Sequence, residues 1–261
     1  MASRPFLRSP LSLVVFAGLL IGGLTITARS PNKGEAPNGL PVDCAGLSEE
    51  ECEAISSERT QVLPAGGPIL AAGEVCGDVG YLCAELEAEG KFQVLRWPLE
   101  TPQIRVFVPE PSHLTAEVAR EFQRAAVRGI WAWNGHPIPL SIRTRGTGED
   151  ADFAVQWVPS MENGSLGRAK VEWRQTGREV EFRVVGFTIG TRDPRGGAGE
   201  MTPEQIELVA AHEMGHALGL PHSNNPRDVM FPTNTATRLT TRDFRTIEAL
   251  YSLPNGSEIR R

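Results

Sequence analysis

Alternating apolar and polar positions in the middle of the chain predict a series of β-strands. In Gln103–Val108 the side chains of Ile104, Val106 and Val108 share one face, which is the period-two pattern of a half-buried strand. The same reasoning predicts further strands, in chain order, at Leu140–Ile142, Ala151–Val158, Gly167–Trp173 and Val180–Ile189. Strands in this order, with one helix after the first strand and further helices after the last, predict a mixed sheet backed by helices.

Three segments carry apolar residues at helical spacing instead. The first predicted helix covers Thr115–Trp133, and a last one runs from Thr241 to Tyr251. Between them, Thr202 and Gln205 have the spacing of a capping box, in which each side chain bonds the backbone of the other residue. This helix is expected to end at Gly219, because glycine readily adopts the left-handed conformation that follows a helix.

The first thirty residues have a different character. Arg4 and Arg8 precede the uncharged run Leu11–Ile26, which is the pattern of a secretory signal, and Ala28 is the expected last residue removed. An uncleaved membrane anchor is the alternative, since the uncharged stretch approaches the roughly 20 residues that span a bilayer. Residues 1–28 therefore predict a secreted or extracytoplasmic protein, or one anchored in the membrane through this segment.

The cysteines agree with export from the cytoplasm. All 4 of them lie before residue 90, and disulfides persist in oxidising compartments. Of the three pairings that the sequence allows, the local pairs Cys44 with Cys52 and Cys76 with Cys83 are favoured. A Cys₄ zinc site is disfavoured, because such sites have tighter spacing. We interpret residues 29–94 as a linker and a cysteine-containing N-terminal region or pro-region.

The charge of the chain argues against a nucleic-acid partner. The formal net charge is −6, and the arginines form no basic block. A hydrophobic content of 40% and a charged content of 22% are ordinary for a soluble globular protein.

One segment, which reads HEMGHALGLPH, carries the candidate chemistry. Residues four apart lie on one face of a helix, so His212 and His216 can present two imidazoles to one metal ion. Gly219 then ends the helix, and the reversed chain can bring His222 in as a third ligand. Three protein ligands leave a fourth tetrahedral position for water, as in catalytic zinc sites. Glu213 lies beside the metal, where it can act as general base on that water.

The segment fits the extended motif H-E-x-x-H-x-x-G-x-x-H of the metzincin zinc peptidases. Ser223, directly after the third histidine, resembles the matrixin (matrix metalloproteinase-like) branch. The similarity covers Arg96–Leu253, and it includes a Met-turn-like segment at Asp228–Pro232, a C-terminal helix over Leu239–Tyr251, and weaker matches at Arg96–Trp97 and Leu166–Ala169.

This resemblance implies a fold and an activity. The fold would be metzincin-like α/β (α+β), with a mixed, mostly parallel twisted β-sheet, an antiparallel edge strand, and an active-site helix carrying HExxH. Residues 95–261 would form a zinc-dependent endopeptidase domain. It would hydrolyse peptide bonds of protein substrates with one catalytic Zn²⁺, and Glu213 would activate the zinc-bound water.

The resemblance also assigns roles to residues around the metal. Met230 would form an apolar floor beneath the zinc, and Asp243 would hydrogen-bond beneath the site. The edge strand at Leu166–Ala169 would pair with extended substrate, mainly through Gly167 and Ala169. The pocket for the side chain after the cut bond would be lined by Leu208, Val209 and the segment Pro232–Asn234, including Thr233.

Three departures from the family pattern matter. Arg168 stands where animal matrixins carry a histidine for a structural zinc, so we expect no such ion. Calcium is not supported, because Asp193–Gly199 is poor in carboxylates. The segment Cys76–Gly80 partly resembles the cysteine switch that blocks the zinc in matrixin zymogens, but a disulfide to nearby Cys83 is favoured.

Two other hypotheses remain. A non-catalytic zinc-binding or adhesion module would not need Glu213, so the presence of this acid argues against that reading. The cysteine-bearing segment could also have a redox or structural role of its own.

Overall fold

The computed structural model describes residues 68–76, 80–84, 86, 90–134, 138–162, 164–176, 179–193, 199–233 and 235–261. The predicted signal segment, Cys44, Cys52 and Asn234 lie outside these residues. None of the described helices is long and apolar enough to cross a membrane.

The strands are β1 (Ile69–Ala71), β2 (Lys91–Gln93), β3 (Gln103–Phe107), β4 (Ser141–Arg145), β5 (Phe153–Val158), β6 (Gly167–Thr176), β7 (Glu179–Gly190) and β8 (Glu258–Arg260). The helices are α1 (Ala72–Val75), α2 (Ala116–Trp131), α3 (Pro203–Ala217) and α4 (Thr241–Ser252).

The main sheet has five strands in the order β4-β3-β5-β7-β6. Strands β4, β3, β5 and β7 are parallel to their neighbours, whereas β6 pairs antiparallel with β7 at the edge. The prediction of a mixed, mostly parallel sheet with an antiparallel edge strand is therefore confirmed. The bounds differ most at β4, which begins and ends later than the predicted Leu140–Ile142, since its C-terminal half carries polar residues that conceal the strand pattern.

The two helices nearest the candidate site begin at capping boxes. At α3 the Thr202 side chain accepts from the Gln205 N–H, and Gln205 accepts from the Thr202 N–H, as predicted. At α4 the same reciprocal pair is made by Thr240 and Asp243. Each box satisfies backbone donors that have no partner inside the helix, which fixes where the helix starts.

Helices α2 and α3 cross closely at Gly129. A Cβ atom at this position would lie 2.9 Å from the Ala211 backbone nitrogen and still closer to the Glu207 carbonyl oxygen. Backbone atoms of a packed helix cannot move aside as the end of a side chain can, so a larger residue would force the two helices apart.

We therefore expect Gly129→Ala to lower the free energy of unfolding by about 3 kcal/mol, at the upper end of overpacking effects. Urea denaturation of the full chain would measure it. Gly73→Ala is the matched control, because nothing lies within 4 Å of a Cβ atom there. Equal losses in the two variants would contradict close helix packing at Gly129.

A second sheet joins the two ends of the described chain. In the order β1-β8-β2, strand β8 pairs parallel with β1 and antiparallel with β2. These strands were not predicted, because three residues are too few to display a period. Between β1 and β2, the side chains of Tyr81 and Leu82 are fully buried in the core that contains the main-sheet residues. Residues on both sides of the predicted boundary at residue 95 thus share one core.

Cys76 and Cys83 form a disulfide, which confirms the predicted local pair. Cys76 is therefore not a free thiol. A blocking role for that thiol at the metal, the less favoured reading of Cys76–Gly80, is contradicted by this bond.

Candidate functional site

Helix α3 and the turn after it bring three histidines together. His212 and His216 lie one helical turn apart, and the chain reverses at Gly219, whose φ of +99° few other residues adopt. A Cβ atom at Gly219 would also clash with the Leu95 carbonyl. Ligand atoms of His212, His216 and His222 all lie within 4.8 Å of one another. The predicted triad therefore converges in space.

Backbone carbonyls fix the orientation of two of these rings. The distance from His212 Nδ1 to the Val229 oxygen is 2.7 Å, and that from His216 Nδ1 to the Leu220 oxygen is 2.9 Å. Since a carbonyl only accepts, Nδ1 carries the proton in both rings, and Nε2 keeps the lone pair that a metal needs. Burial lowers the pKa of His212 to about 4, although its bond to Val229 opposes the shift. The ring is therefore neutral at neutral pH.

Glu213 is buried beside the triad with one oxygen unsatisfied. The side chain is 4% exposed, and Oε2 has no hydrogen-bond partner among the described residues. The backbone N–H of Ala169 hydrogen-bonds the carboxylate group. Burial raises the pKa of Glu213 to about 8, while the Ala169 bond and the charge of Arg168 oppose the rise. A cation beside the carboxylate would lower that pKa.

The donor set fits a zinc ion. The Nε2 atoms of His216 and His222 are 3.1 Å apart. Two nitrogens at the usual zinc distance on a tetrahedral ion would be about 3.3 Å apart, so little movement is needed. Neutral imidazoles suit zinc, and the orphaned oxygen of Glu213 has the place of a water-binding acceptor at such an ion.

Comparison with known proteins finds one family model that matches part of the chain. Residues 145–252 match the model of the matrixin family. This part of the chain therefore resembles a matrixin-like metzincin. It is 30% identical to matrix metalloproteinase-20 of Homo sapiens over 147 residues, which are 53% of this chain and 27% of the relative. It is 27% identical to Metalloendoproteinase 5-MMP of Arabidopsis thaliana over 187 residues, or 62% of this chain and 47% of the relative.

A shorter and stronger match is 51% identity over 53 residues with macrophage metalloelastase of Rattus norvegicus, covering 18% of this chain and 11% of the relative. The chain thus spans less than half the length of each of these relatives. The matrixin family implies zinc as the metal for the triad.

Met230 lies directly against helix α3. Its side chain is fully buried, and a Cβ atom at Gly215 would lie 3.1 Å from Met230 Cε and 3.1 Å from a ring atom of Trp133. Trp133 in turn donates from Nε1 to the Ala211 carbonyl at 2.8 Å. The absence of a side chain at Gly215 is what allows this contact beneath the helix.

The edge strand β6 of the matrixin-like fold lies against Glu213. A Cβ atom at Gly167 would lie 2.5 Å from Glu213 Oε1 and 2.8 Å from Val209 Cγ1. Val209 is buried, and the Ala169 N–H bonds Glu213. The structure therefore brings predicted site residues from β6 and α3 into contact. The other residues predicted to line the pocket are only partly buried: Leu208, Pro232 and Thr233.

A polar network behind the third histidine was not predicted. Ser223 and Asp228 are buried and hydrogen-bond each other through their side chains, and Arg242 forms an ion pair with Asp228. Arg242 Nη1 is also 3.1 Å from Ser223 Oγ. The sequence carried one signal for it: Asp228 adjoins the apolar Met-turn residues, where an unpaired carboxylate would be costly. Nothing in the sequence around Arg242 on α4 indicates that it pairs with Asp228.

Proposed function

We propose that this chain is a zinc-dependent endopeptidase, with His212, His216 and His222 as metal ligands and Glu213 as general base. One observation carries the proposal. Three imidazoles converge within 4.8 Å beside a buried carboxylate that has one unpartnered oxygen. A site that only bound metal would gain nothing from burying that oxygen without a partner, because such a group costs about 1–3 kcal/mol.

Zinc, when bound, lowers the pKa of a water molecule toward about 7 and polarises the carbonyl to be cut. Glu213 Oε2 accepts the proton of the attacking water and delivers it to the leaving amine nitrogen. The Ala169 N–H hydrogen-bonds the Glu213 carboxylate, which helps to hold this side chain in place. The tautomers of His212 and His216 are set by the carbonyls that their Nδ1 atoms bond.

We assign the substrate side of the site to strand β6 and the residues near Val209. An extended peptide would add to the outer edge of β6, with Gly167 and Ala169 opposite the cut bond. The side chain after that bond would be received by a pocket lined by Leu208, Val209, Pro232 and Thr233. Met230 would form the apolar floor beneath the metal. Protein or peptide chains are therefore the proposed substrates.

The proposed location is outside the cytoplasm. It rests on the positive and then apolar pattern of residues 1–28 and on the disulfide between Cys76 and Cys83. Release after cleavage at Ala28 and retention through an uncleaved anchor are both compatible with that pattern. Recovery of the intact N-terminus in washed membranes would identify the anchored form.

The direct test is hydrolysis of casein by the full chain, with and without a zinc chelator. We expect one zinc ion per chain, loss of cleavage with chelator, and recovery when zinc is restored. Chelator-resistant cleavage would overturn the metal mechanism. Bound zinc without cleavage of casein, or of a mixed peptide library, would instead indicate the binding-module hypothesis.

A further inference from the structure

The dipeptide Gly80–Tyr81 is docked tightly on helix α4. The Tyr81 N–H donates to Thr246 Oγ1 at 3.1 Å, and the Tyr81 side chain is fully buried. Gly80 has a φ of +69°, and a Cβ atom there would lie 2.8 Å from the Arg242 carbonyl oxygen and closer still to Thr246 Oγ1. Only glycine combines this backbone conformation with this close approach.

One chain of contacts leads from Tyr81 to the first metal-facing histidine. The Tyr81 hydroxyl donates to Asp243 Oδ1 at 3.1 Å, and the Val229 N–H donates to Asp243 Oδ2 at 3.3 Å. The carbonyl of the same Val229 accepts from His212 Nδ1 at 2.7 Å. Tyr81 is thus three side-chain or backbone contacts away from a ring of the triad.

A second chain of contacts leads to the segment after the third histidine. The Arg242 guanidinium lies 5.4 Å from the centre of the Tyr81 ring, and its Nη2 is 3.4 Å from the Gly80 carbonyl oxygen. Its Nη1 donates to Ser223 Oγ at 3.1 Å and pairs with Asp228. Ser223 follows His222 directly, and its N–H donates to the Met230 carbonyl at 2.8 Å.

We propose that Gly80 and Tyr81 are positioning residues for the metal centre, holding the loop 222–230 through Asp243 and Arg242. This rests on the proposed function, in which His212 and His222 are ligands. The dipeptide lies in the segment before residue 95, so part of the predicted N-terminal region would belong to the support of the site. It would act by fixing where loop atoms lie, without touching substrate.

Tyr81 would affect the metal centre only through the positions of the residues between them. The N–H and the carbonyl of Val229 belong to successive peptide units, so the contacts fix the place of this residue and transmit no charge along one amide. Burial raises the pKa of Tyr81 well above its usual value, so its hydroxyl keeps the proton that it donates to Asp243. Groups that orient a zinc ligand directly contribute about 10–100-fold in metal affinity, and Tyr81, two contacts further out than the Val229 carbonyl, should contribute less.

The first test is Tyr81→Phe in the full chain, compared with Tyr251→Phe. Both hydroxyls are buried and hydrogen-bonded, but Tyr251 donates to the Leu218 carbonyl and does not contact the 222–230 loop through Asp243 or Arg242. We expect zinc affinity, measured by competition with a chromophoric chelator, to fall about three- to tenfold in Tyr81→Phe. It should stay within about twofold of wild type in Tyr251→Phe, although both variants lose some stability.

The second test is Gly80→Ala, compared with Gly90→Ala. Gly90 has a nearly identical φ of +70°, but nothing lies within 4 Å of a Cβ atom there. Both variants carry the same backbone strain, so any difference reports the docking contact. We expect about tenfold weaker zinc binding in Gly80→Ala only, with a changed visible spectrum when cobalt(II) replaces zinc.

Amide hydrogen exchange of the metal-free full chain separates this proposal from the proposed function. Exchange in residues 222–230 should be faster in Tyr81→Phe and Gly80→Ala than in the two controls. If loop exchange and zinc affinity match those of the controls in folded Tyr81→Phe, positioning by Tyr81 is wrong. If the wild type binds no zinc, the proposed function fails, and the exchange comparison still decides whether the dipeptide holds the loop.

Discussion

Replacing Glu213 by glutamine is expected to lower kcat on casein by about 10²–10⁴-fold, the usual contribution of a general base, while zinc content stays at one ion per chain. The amide oxygen of glutamine can still accept the Ala169 N–H, so the side chain should stay in place. The amide cannot take a proton from water at neutral pH. Binding and geometry are thus retained, and proton transfer is lost.

The matched control is Glu204→Gln, at the exposed first turn of the same helix. It makes the same substitution on α3, eight residues before His212, and should leave kcat within about twofold, as surface changes usually do. Initial rates at saturating casein, with zinc measured on the same samples, make the comparison. Near-normal turnover in Glu213→Gln with full zinc would show that Glu213 is not the general base, even if the metal ligands were correct.

The convergence of the three histidines could be predicted from the sequence because its signals are local. His212 and His216 are four residues apart on one helix, and Gly219 allows the reversal that leads to His222. The capping box of Thr202 and Gln205 likewise lies within four residues. Patterns this short are governed by helix geometry and by backbone preferences of individual residues, and both can be read along the chain.

The contacts that Gly80 and Tyr81 make with α4 could not be predicted, because they join segments that are distant in the sequence. Tyr81 and Asp243 are separated by 162 positions, and Tyr81 and Thr246 by 165. Nothing in the local sequence around Tyr81 distinguishes a buried donor from an exposed tyrosine. Gly80 gives no signal either, since its requirement for glycine arises from the approach of α4 and not from a turn pattern alone.

The two kinds of residue also fail differently when changed. A residue proposed to face the metal, such as Glu213, would lose function through one missing atom. Changing a supporting residue such as Tyr81 would lower function by letting the loop 222–230 shift. Other residues that hold the loop would partly resist that shift. Thr240, for example, also bonds the carboxylate of Asp243. We therefore expect small effects from support variants and large ones from ligand variants.

The ligand variant with the largest expected effect is His222→Ala. It should weaken zinc binding on the order of 10²-fold or more, since a zinc site of several ligands gains about 10–16 kcal/mol in total. Cleavage of casein should fall to the level seen with chelator. The fold should persist, because His222 lies in the turn after α3 and is only half-buried. Circular dichroism and chelator competition on the same protein would separate the two effects.

The control is His113→Ala, which removes an exposed histidine whose Nε2 is 2.9 Å from Thr191 Oγ1. It should bind zinc as the wild type does. If His222→Ala also binds zinc normally, then the turn at Gly219 does not deliver a third ligand, and the metal is held by another set of residues. Loss of zinc together with loss of the fold would mean that the loop 222–230 depends on the metal for its structure, so ligand and support would be one cooperative unit.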